Sequence, residues 1–382
     1  MTDVFASYLE RLSAEGNRRH IKSAAEAREL GQLTDLASND YLGLAHRHEL
    51  VAEFLATATA EELQLTSSAS RLLSLRQHSH QALEETLAAL YGREVLLFNS
   101  GYHANVGTVS ALAAMPRTLI VADRLVHASI IDGMVLSRAD FRRFRHNDIE
   151  SLRAVIRQND DRYSRFVVIV ESIYSMDGDV APLAELAQLR RENPNVLLYV
   201  DEAHAFGVRG ERGLGVCEEL GIIDDVDVVI GTLGKAAASS GAFVATTPTL
   251  KEYLINAARS LIFSTALPPI NCAWSRFIIE RITAMSAERK RLARLSALLY
   301  EYCNPLNGGI ESRSQIVPLV VGDARRVVAV SDALRQEGFV ALPIRKPTVA
   351  AGTERIRFSL NASLPEEEVR RLISVLSHTE WS

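Results

Sequence analysis

A lysine follows directly on one of the apolar runs of the chain. Val228 to Ile230 leads into the segment Gly231 to Lys235. In open α/β folds, ligands bind at the carboxyl edge of the sheet, which is where a residue just past a strand lies. Desolvation there disfavours the charged amine, and a neutral amine can form a Schiff base. The segment therefore indicates either a reactive Lys235 or, as is commoner for one lysine in a glycine-flanked loop, a lysine that caps a turn.

An acid and a histidine follow a second apolar run. Val196 to Val200 leads into Asp201 and His204. A carboxylate at a strand end can pair with a protonated ring nitrogen, and this pairing makes pyridoxal phosphate (PLP) an electron sink. Either residue alone could equally cap the next helix or be satisfied in the core. Together with Lys235, they favour a PLP site at the sheet edge.

Further turns after apolar runs carry candidate cofactor contacts. Gly101 and Tyr102 open a helical segment, whose free N–H groups and positive end suit a phosphate. Thr232 could offer a hydroxyl to the same phosphate. His127 could stack on a flat cofactor and Ser175 could reach a phenolic oxygen, although a solvated turn is the alternative for both.

Short apolar runs alternate with helical segments through the middle of the chain. Several runs are apolar throughout, as expected for strands buried on both faces of a parallel sheet. The predicted strands are Val95 to Phe98, Leu119 to Val121, Phe166 to Val170, Val196 to Val200, Val228 to Ile230 and Phe243 to Ala245. The pattern predicts a large α/β domain with a doubly wound, mainly parallel sheet over residues 46–270.

The two ends of the chain are organised differently. Residues 1–45 are predicted to form a short N-terminal arm that begins with an amphipathic helix over residues 4–12, whose apolar side packs on another surface. Residues 271–382 are predicted to form a smaller α+β domain. Its strand-like segments are 316–321, 339–344 and 355–360. Its last helix is predicted to follow a capping box of Ser363 and Glu366.

Composition excludes several classes of function. The 382 residues carry a net charge of −5, which argues against a nucleic-acid surface because phosphate backbones need a basic footprint. Cys217, Cys272 and Cys303 lie far apart without paired metal-ligand spacing, so we expect neither a disulfide framework nor a metal site. No apolar run is long enough to span a bilayer and no signal-peptide pattern is seen, so we expect a cytoplasmic protein.

The order of these motifs resembles that of one enzyme family. The segments that carry the likeness are Ser38 to Leu44, the Gly101 turn, the His127 loop, Ser175 to Asp179, Asp201 to His204, Gly234 with Lys235, Ser264 with Thr265, and Pro347 to Val349. From about residue 4 to 378 the chain is similar to the α-oxoamine synthases, which are PLP enzymes of the aspartate aminotransferase fold type, fold type I. The resemblance implies a homodimer with active sites at the subunit interface. It also implies decarboxylative condensation of an amino acid with an acyl thioester of CoA or an acyl carrier protein.

The resemblance implies roles for individual residues. Lys235 is expected to form the Schiff base, Asp201 to face the pyridine nitrogen and His127 to stack on the ring. The other expected cofactor contacts are Gly101, Tyr102, Ser175, His204 and Thr232, with Ser264 and Thr265 reaching the phosphate of the neighbouring subunit. The expected substrate contacts are Arg19, Thr348 and Arg357, of which Arg357 holds the carboxylate of the amino acid.

Two loops depart from the family pattern. Thr66 to Arg71 stands where a glycine-rich loop is usual, and Ala236 to Ala238 where glycine often appears. Alanine is small enough to preserve close packing but gives up positive φ angles, so the resemblance does not predict loop shape or substrate access at either place. Members of the same family that use other amino acids and acyl chains are the nearest alternatives. An aminotransferase and a non-catalytic binding protein with this fold are the alternatives from other classes.

Overall fold

The computed structural model describes residues 2–75 and 77–378. Within them, helices and strands alternate through the middle of the chain. The α-helices are α1 (Thr2–Ala14), α2 (Ala24–Leu30), α3 (His48–Thr57), α4 (His78–Tyr91), α5 (Gly101–Ala113), α6 (Ala128–Ser137), α7 (Ile149–Arg157), α8 (Leu183–Glu192), α9 (Val216–Glu219), α10 (Pro248–Ala257), α11 (Arg259–Ile262), α12 (Pro269–Ile282), α13 (Ser286–Cys303), α14 (Ala324–Gln336) and α15 (Glu366–His378). The strands are β1 (Thr34–Asp35), β2 (Glu94–Phe98), β3 (Thr118–Asp123), β4 (Phe141–Phe144), β5 (Arg165–Glu171), β6 (Val196–Asp201), β7 (Val228–Thr232), β8 (Ala242–Thr246), β9 (Ile316–Val320), β10 (Phe339–Val340), β11 (Leu342–Ile344) and β12 (Arg355–Ser359).

The described residues divide into two compact units. The sheet unit contains residues 42–174 and 180–289, and the terminal unit contains residues 2–41, 175–179 and 290–378. The short segment 175–179 therefore belongs to a different unit from the strand β5 that precedes it in the chain. Among the helices of these described residues, none is both long and apolar enough to cross a membrane.

The sheet unit is built on one seven-stranded sheet. Its strand order is β2-β8-β7-β6-β5-β3-β4. β4, β3, β5, β6 and β7 are parallel, while β8 is antiparallel to both β7 and β2. All six predicted strands are confirmed. The edge strand β4 was missed because its sequence, Phe141 to Phe144, carries two exposed arginines and lacks an apolar run.

The sheet places several polar residues at one buried edge. Parallel strands that are adjacent in a sheet end on the same side, which makes this edge the usual ligand site of an open α/β fold. Asp123, Glu171, Asp201 and Thr232 are the last residues of β3, β5, β6 and β7, and all four are buried. Burying polar groups is unfavourable unless they are hydrogen-bonded or bind something, so this edge marks the candidate site.

The terminal unit has the predicted α+β character. β9, β12 and β11 form an antiparallel sheet, and β1 pairs in parallel with β10. The predicted strand over 339–344 is interrupted at Ala341, which separates β10 from β11. The predicted capping box before the last helix is wrong, because Ser363 donates its hydroxyl to Asn361 Oδ1 at 2.6 Å and α15 begins only at Glu366.

The amphipathic helix predicted near the N-terminus is confirmed as α1. Its apolar side carries Val4, Phe5, Tyr8 and Leu9, which are 72%, 68%, 51% and 41% exposed in this chain. A contiguous apolar helix face of this kind favours contact with another surface. Whether that surface belongs to a second copy of the chain stays a prediction.

Candidate active site

A pocket opens at the carboxyl edge of the sheet in the sheet unit. The lining residues come from the ends of β5, β6 and β7, from the segments just after β6 and β7, from α5, and from the start of α6 and the residue before it. They are Gly101, Tyr102, Asn105, His127, Ser129, Glu171, Asp201, Ala203, His204, Thr232 and Lys235. Seven of the residues predicted from sequence therefore share one pocket. These seven are Gly101, Tyr102, His127, Asp201, His204, Thr232 and Lys235.

Lys235 lies in a tight turn that follows β7. Main-chain hydrogen bonds from Leu233 N–H to Gly241 O and from Ala238 N–H to Lys235 O, both 2.9 Å, shape this turn. The Nζ atom of Lys235 lies 2.8 Å from Nε2 of His204. The amine thus lies against an imidazole in a pocket at the sheet edge, where a partly desolvated amine is suited to Schiff-base chemistry.

Asp201 is held in place by two hydrogen bonds. Its Oδ2 accepts from Asn105 Nδ2 at 2.7 Å and its Oδ1 accepts from the N–H of Ala203 at 2.9 Å. The same Asn105 accepts a hydrogen bond from the hydroxyl of Tyr199 at 2.6 Å and donates to Ser129 Oγ at 3.0 Å. A carboxylate fixed in this way suits a cationic partner such as a protonated ring nitrogen.

His127 precedes α6 and caps it. Its Nδ1 accepts from the N–H of Ser129 at 3.2 Å and lies 2.8 Å from the hydroxyl of the same residue. The side chain keeps contact with solvent, yet desolvation by the surrounding protein lowers its pKa, Asp201 raises it and Lys235 lowers it. The net lowering favours a neutral imidazole, which suits stacking on a flat ring.

The start of α5 and the end of β7 meet at the pocket. A Cβ added to Gly101 would lie 3.8 Å from both Cβ and Oγ1 of Thr232, so the helix start and this hydroxyl are adjacent. Ser100 caps the helix by accepting from His103 N–H at 3.2 Å. Tyr102 donates its hydroxyl to Asp132 at 2.6 Å, and this hydrogen bond raises the pKa of Tyr102. A helix N-terminus with an adjacent hydroxyl suits a phosphate.

Ser264 and Thr265 also belong to the sheet unit but do not line this pocket. Thr265 pairs with Ser70 in an isolated antiparallel bridge, and its carbonyl accepts from Asn99 Nδ2 at 2.6 Å. Ser264 lines a separate small cavity that His80 also lines. Their expected contact with a neighbouring subunit's phosphate stays a prediction.

The other four predicted site residues belong to the terminal unit. Arg357 on β12 is buried and donates from Nε to the carbonyl of Ser175 and from Nη2 to Asn39 Oδ1 at 3.1 Å. Arg19 lies on the exposed arm, with its Nη2 3.3 Å from Thr348 Oγ1. The structure thus brings Arg357 next to Ser175 and Arg19 next to Thr348. Their roles toward cofactor and substrate stay predictions.

Four lining residues were missed from sequence, and three of them, Asn105, Glu171 and Ser129, carry polar side chains; the fourth is Ala203. Asn105 lies four residues after Gly101, which puts both on one face of α5, and that spacing could have identified it. Glu171 ends β5 just as Asp201 ends β6, so the rule used for Asp201 applied to it as well. Ser129 carried no sequence signal of its own, since it acts through His127 and Asn105.

The loop after Lys235 differs from the sequence-based expectation. Ala238 adopts a φ of 44°, although alanine was expected to give up positive φ angles. Its N–H donates to the carbonyl of Lys235 at 2.9 Å, and its own carbonyl accepts from Trp274 Nε1 at 3.0 Å. These contacts hold the left-handed conformation that glycine would adopt without strain.

The residues of the pocket fit PLP. They offer an amine at Lys235, a fixed carboxylate at Asp201, an aromatic face at His127, and a helix start with Thr232 for the phosphate. In addition, the buried Oε1 of Glu171 has no hydrogen-bond partner among residues 2–75 and 77–378, which leaves one polar atom for a ligand.

Comparison with known proteins agrees with this fit. The model of the family "Aminotransferase class I and II" matches residues 31–376. The chain belongs to this family. A Haemophilus influenzae relative, "Putative 8-amino-7-oxononanoate synthase", is 46% identical over 380 residues that cover 98% of this chain and 100% of that protein.

Solved structures extend the comparison to the fold. Sphingomonas wittichii serine palmitoyltransferase has a TM-score of 0.83 and 30% identity over 90% of this chain and 86% of that one. Francisella tularensis 8-amino-7-oxononanoate synthase has a TM-score of 0.72 and 27% identity over 91% and 97%. Other solved neighbours are serine palmitoyltransferase structures with bound PLP. The predicted α-oxoamine synthase resemblance, fold type I and PLP as the cofactor are confirmed, and the chain is a PLP-dependent transferase.

Proposed function

We propose that the protein condenses L-alanine with a pimeloyl thioester, of CoA or of a carrier protein, and releases CO₂ and the free thiol to give 8-amino-7-oxononanoate, an intermediate of biotin synthesis. The likeness to the Haemophilus influenzae relative over its whole length carries this proposal. The pocket supports it, because Lys235, His204 and Asp201 are intact and in contact with suitable partners. We place the reaction in the cytoplasm, in line with the expectation from the sequence.

The chain's own residues supply binding and proton transfer. PLP, when bound, withdraws electrons from the Cα of an amino acid attached to it. Lys235 Nζ removes the proton from Cα and later returns one, and the adjacent His204 orients this amine. The carboxylate of Asp201, which Asn105 holds in place, keeps a proton on the ring nitrogen. Arg357 binds the carboxylate of the amino acid.

The proposed enzyme is a homodimer with active sites at the subunit interface. The apolar face of α1 supports this, and so does the loop before α4, where Leu73 and Leu75 are 75% and 97% exposed. Size-exclusion chromatography with light scattering should give twice the 42.1 kDa of the chain. A monomer at working concentration would contradict the shared active sites.

Other members of the family are the alternative. Serine palmitoyltransferase has one specific observation in its favour, since structures of that enzyme are among the solved neighbours. Glycine C-acetyltransferase and 5-aminolevulinate synthase share the same expected chemistry. An aminotransferase is a further alternative, because the family model that matches the chain describes that class.

Product identification separates these functions. The holoenzyme is incubated with L-alanine, glycine or L-serine and with pimeloyl-, acetyl-, succinyl- or palmitoyl-CoA, and products are analysed by mass spectrometry. We expect 8-amino-7-oxononanoate from L-alanine and pimeloyl-CoA as the preferred product. Preference for another pair identifies a sister enzyme. Stoichiometric release of a 2-oxo acid from the amino acid without thioester identifies an aminotransferase.

A further inference from the structure

Two carboxyl groups lie side by side in the pocket. Glu171 and Asp201 end the adjacent parallel strands β5 and β6 and are partners in the strand register. Register partners on neighbouring strands project to the same side of a sheet, with their Cα atoms about 5 Å apart. Both residues line the pocket and both are buried, with 3% and 4% of their surface exposed. Neighbouring buried carboxyl groups disfavour each other's ionisation, which favours a state in which one of them keeps a proton.

The hydrogen bonds decide which group is charged. Asp201 accepts from the side chain of Asn105 and from the N–H of Ala203. Glu171 receives one main-chain hydrogen bond, from His127, and its Oε1 has no partner in the described part of the chain. Hydrogen-bond donors favour a carboxylate, and Glu171 has fewer of them than Asp201, so the proton belongs on Glu171.

The electrostatic surroundings of Glu171 point the same way. Burial raises its pKa well above the usual range, the charges of Asp201 and Asp123 raise it further, and Lys235 and the His127 hydrogen bond lower it. The effects that raise the pKa of Glu171 are larger than those that lower it, so its pKa is raised overall. A protonated carboxyl differs from a carboxylate in one respect that matters here, since it can donate a hydrogen bond.

We infer that Glu171 is a neutral carboxylic acid that donates its O–H to an anionic oxygen of the molecule bound in the pocket. Phenolate and phosphate oxygens of the cofactor, and the carboxylate of an amino acid, have this chemistry. Glu171 is then an additional ligand-binding residue beside Asp201, and the two neighbouring acids have opposite roles. Asp201 accepts a hydrogen bond from a protonated nitrogen, while Glu171 donates a hydrogen bond to an oxygen. The inference rests on the PLP site of the proposed function but not on the identity of the acyl donor.

Two variants of the full chain test this inference by cofactor binding. Glu171→Gln keeps a neutral donor, whereas Glu171→Leu removes it at similar size. Apo protein is titrated with PLP, and the holoenzyme is then titrated with L-alanine while the absorbance is followed. We expect Glu171→Gln to bind both ligands within about threefold of wild type, because the amide N–H replaces the O–H.

The two possible acceptors give different results with Glu171→Leu. A weakening of PLP binding by at least about tenfold identifies the cofactor as acceptor, and a similar weakening of L-alanine binding alone identifies the amino acid. Wild-type affinity for both ligands overturns the inference. So does a loss in Glu171→Gln as large as that in Glu171→Leu, because the carboxyl would then act as an anion.

A spectroscopic measurement decides the matter even if the leucine variant does not fold. The pH dependence of the absorbance of bound PLP is compared between wild type and Glu171→Gln. If Glu171 is neutral, the midpoint should agree within about 0.3 pH units, whereas removal of a buried negative charge should lower it by about one unit or more. A shift of that size overturns the inference. No acyl thioester is needed, so failure here is distinct from failure of the proposed condensation.

Discussion

Two successive acids at the end of strand β6 have different surroundings, Asp201 as the last residue of the strand and Glu202 just after it. Asp201 faces the pocket, and Glu202 is fully buried with 0% of its surface exposed. Successive side chains of a strand point to opposite sides. Both oxygens of Glu202 are occupied, Oε1 by the N–H of Cys217 at 2.7 Å and Oε2 by the N–H of Val216 at 3.1 Å and the hydroxyl of Ser172 at 2.5 Å.

Gly215, which lies beside Glu202, shows how closely the residues around Glu202 are packed. Gly215 has a φ of 120°, and a Cβ added there would lie 2.6 Å from Cδ of Glu202. The backbone of Gly215 therefore packs directly against the carboxylate. The pocket side of the same strand end is different, because the neighbouring Glu171 retains an oxygen without a partner in residues 2–75 and 77–378.

The difference separates two uses of buried polar groups. A network whose hydrogen bonds are complete within the chain stabilises the fold, and removing a member leaves donors unsatisfied. A network with a remaining donor or acceptor can bind a ligand. Substitutions in the pocket network should therefore change binding and catalysis more than stability, whereas substitutions around Glu202 should do the reverse.

The largest effect is expected for Lys235→Ala. Removal of the amine eliminates both the covalent attachment of PLP and the base that moves the Cα proton, so turnover should fall by at least about 10⁴-fold. The thermal midpoint should stay close to wild type, because Lys235 is only half-buried. Steady-state assays and the PLP absorbance spectrum measure the effect.

A second lysine of the sheet unit provides the control for this variant. Lys251 forms an ion pair with Glu94 at 2.7 Å and does not line the pocket. Lys251→Ala should keep turnover near wild type. Undiminished turnover in Lys235→Ala would show that Lys235 takes no part in the reaction. The pocket could then no longer be regarded as the ligand-binding region.

The next largest effect is expected for Glu202→Ala, and it concerns stability. The substitution leaves the N–H groups of Val216 and Cys217 and the hydroxyl of Ser172 unpaired, which should reduce the free energy of unfolding by about 3–5 kcal/mol. Urea unfolding followed by circular dichroism measures it. Glu192→Gln, at an exposed ion pair with Arg153, should change stability by less than about 1 kcal/mol. A Glu202→Ala variant that is as stable as wild type but inactive would contradict the conclusion that the hydrogen bonds of Glu202 stabilise the fold.

A buried histidine outside the pocket predicts acid sensitivity. His80 is 1% exposed and lies with Nε2 2.9 Å from the carbonyl of Leu267. Burial, with the charge of Arg71 as a smaller cause, lowers its pKa from 6.5 to about 4. The unfolded chain therefore binds more protons than the folded chain between these values, and stability falls as the pH falls from 6.5 to about 4.

His80→Gln should remove this part of the pH dependence, because the glutamine amide can still donate to the carbonyl of Leu267. Between about pH 7 and pH 4.5, wild type should lose roughly 2–3 kcal/mol more stability than the variant. Urea unfolding at both pH values measures the difference. Equal losses in the two proteins would show that His80 is protonated in the folded state.

A smaller effect is expected for Asn105→Ala. The hydrogen bond from Asn105 to Asp201 involves a charged acceptor, so its loss should weaken PLP binding and lower kcat/KM by about tenfold. Ser110→Ala is the matched control on α5, since Ser110 bonds to the main chain of its own helix at 2.6 Å. Unchanged cofactor binding in Asn105→Ala would show that Asp201 needs no support from α5.

The sequence was most informative where one rule sufficed. Apolar runs identified β2, β3, β5, β6, β7 and β8, and the residues just past two of these runs, in β6 and β7, identified Asp201, His204 and Lys235. Asn105 escaped because it reaches the pocket from the second turn of a helix, and finding it requires both the strand and the helix to be placed. Ser363 failed as a cap because the side chain of Asn361, two residues away, captures its hydroxyl.

The terminal unit shows a further limit of sequence reasoning. The segment 175–179 begins only a few residues after β5, so its grouping with residues 290–378 cannot be read from chain order. The reason lies in β12, where Arg357 donates to the carbonyl of Ser175 and Arg355 forms an ion pair with Asp177. Such contacts join residues about 180 positions apart, and no local pattern reports them.

The smallest effect is expected for Ala238→Gly, at the loop where alanine replaces the usual glycine. A positive φ is unfavourable for alanine by roughly 1 kcal/mol, and glycine would relieve it. Glycine also gives the unfolded chain more freedom, which destabilises by a similar roughly 0.5–1 kcal/mol. The two terms oppose each other, so the free energy of unfolding should change by less than about 1 kcal/mol.

Turnover of Ala238→Gly should change by less than about threefold, because the hydrogen bonds to Lys235 and Trp274 involve only the main chain of residue 238. Ala238→Val, which keeps those bonds but disfavours positive φ, should destabilise more than Ala238→Gly. If the glycine variant instead lost turnover at unchanged stability, the stiffness of this alanine would be part of how Lys235 is positioned, and the pocket would depend on local backbone strain as well as on its hydrogen bonds.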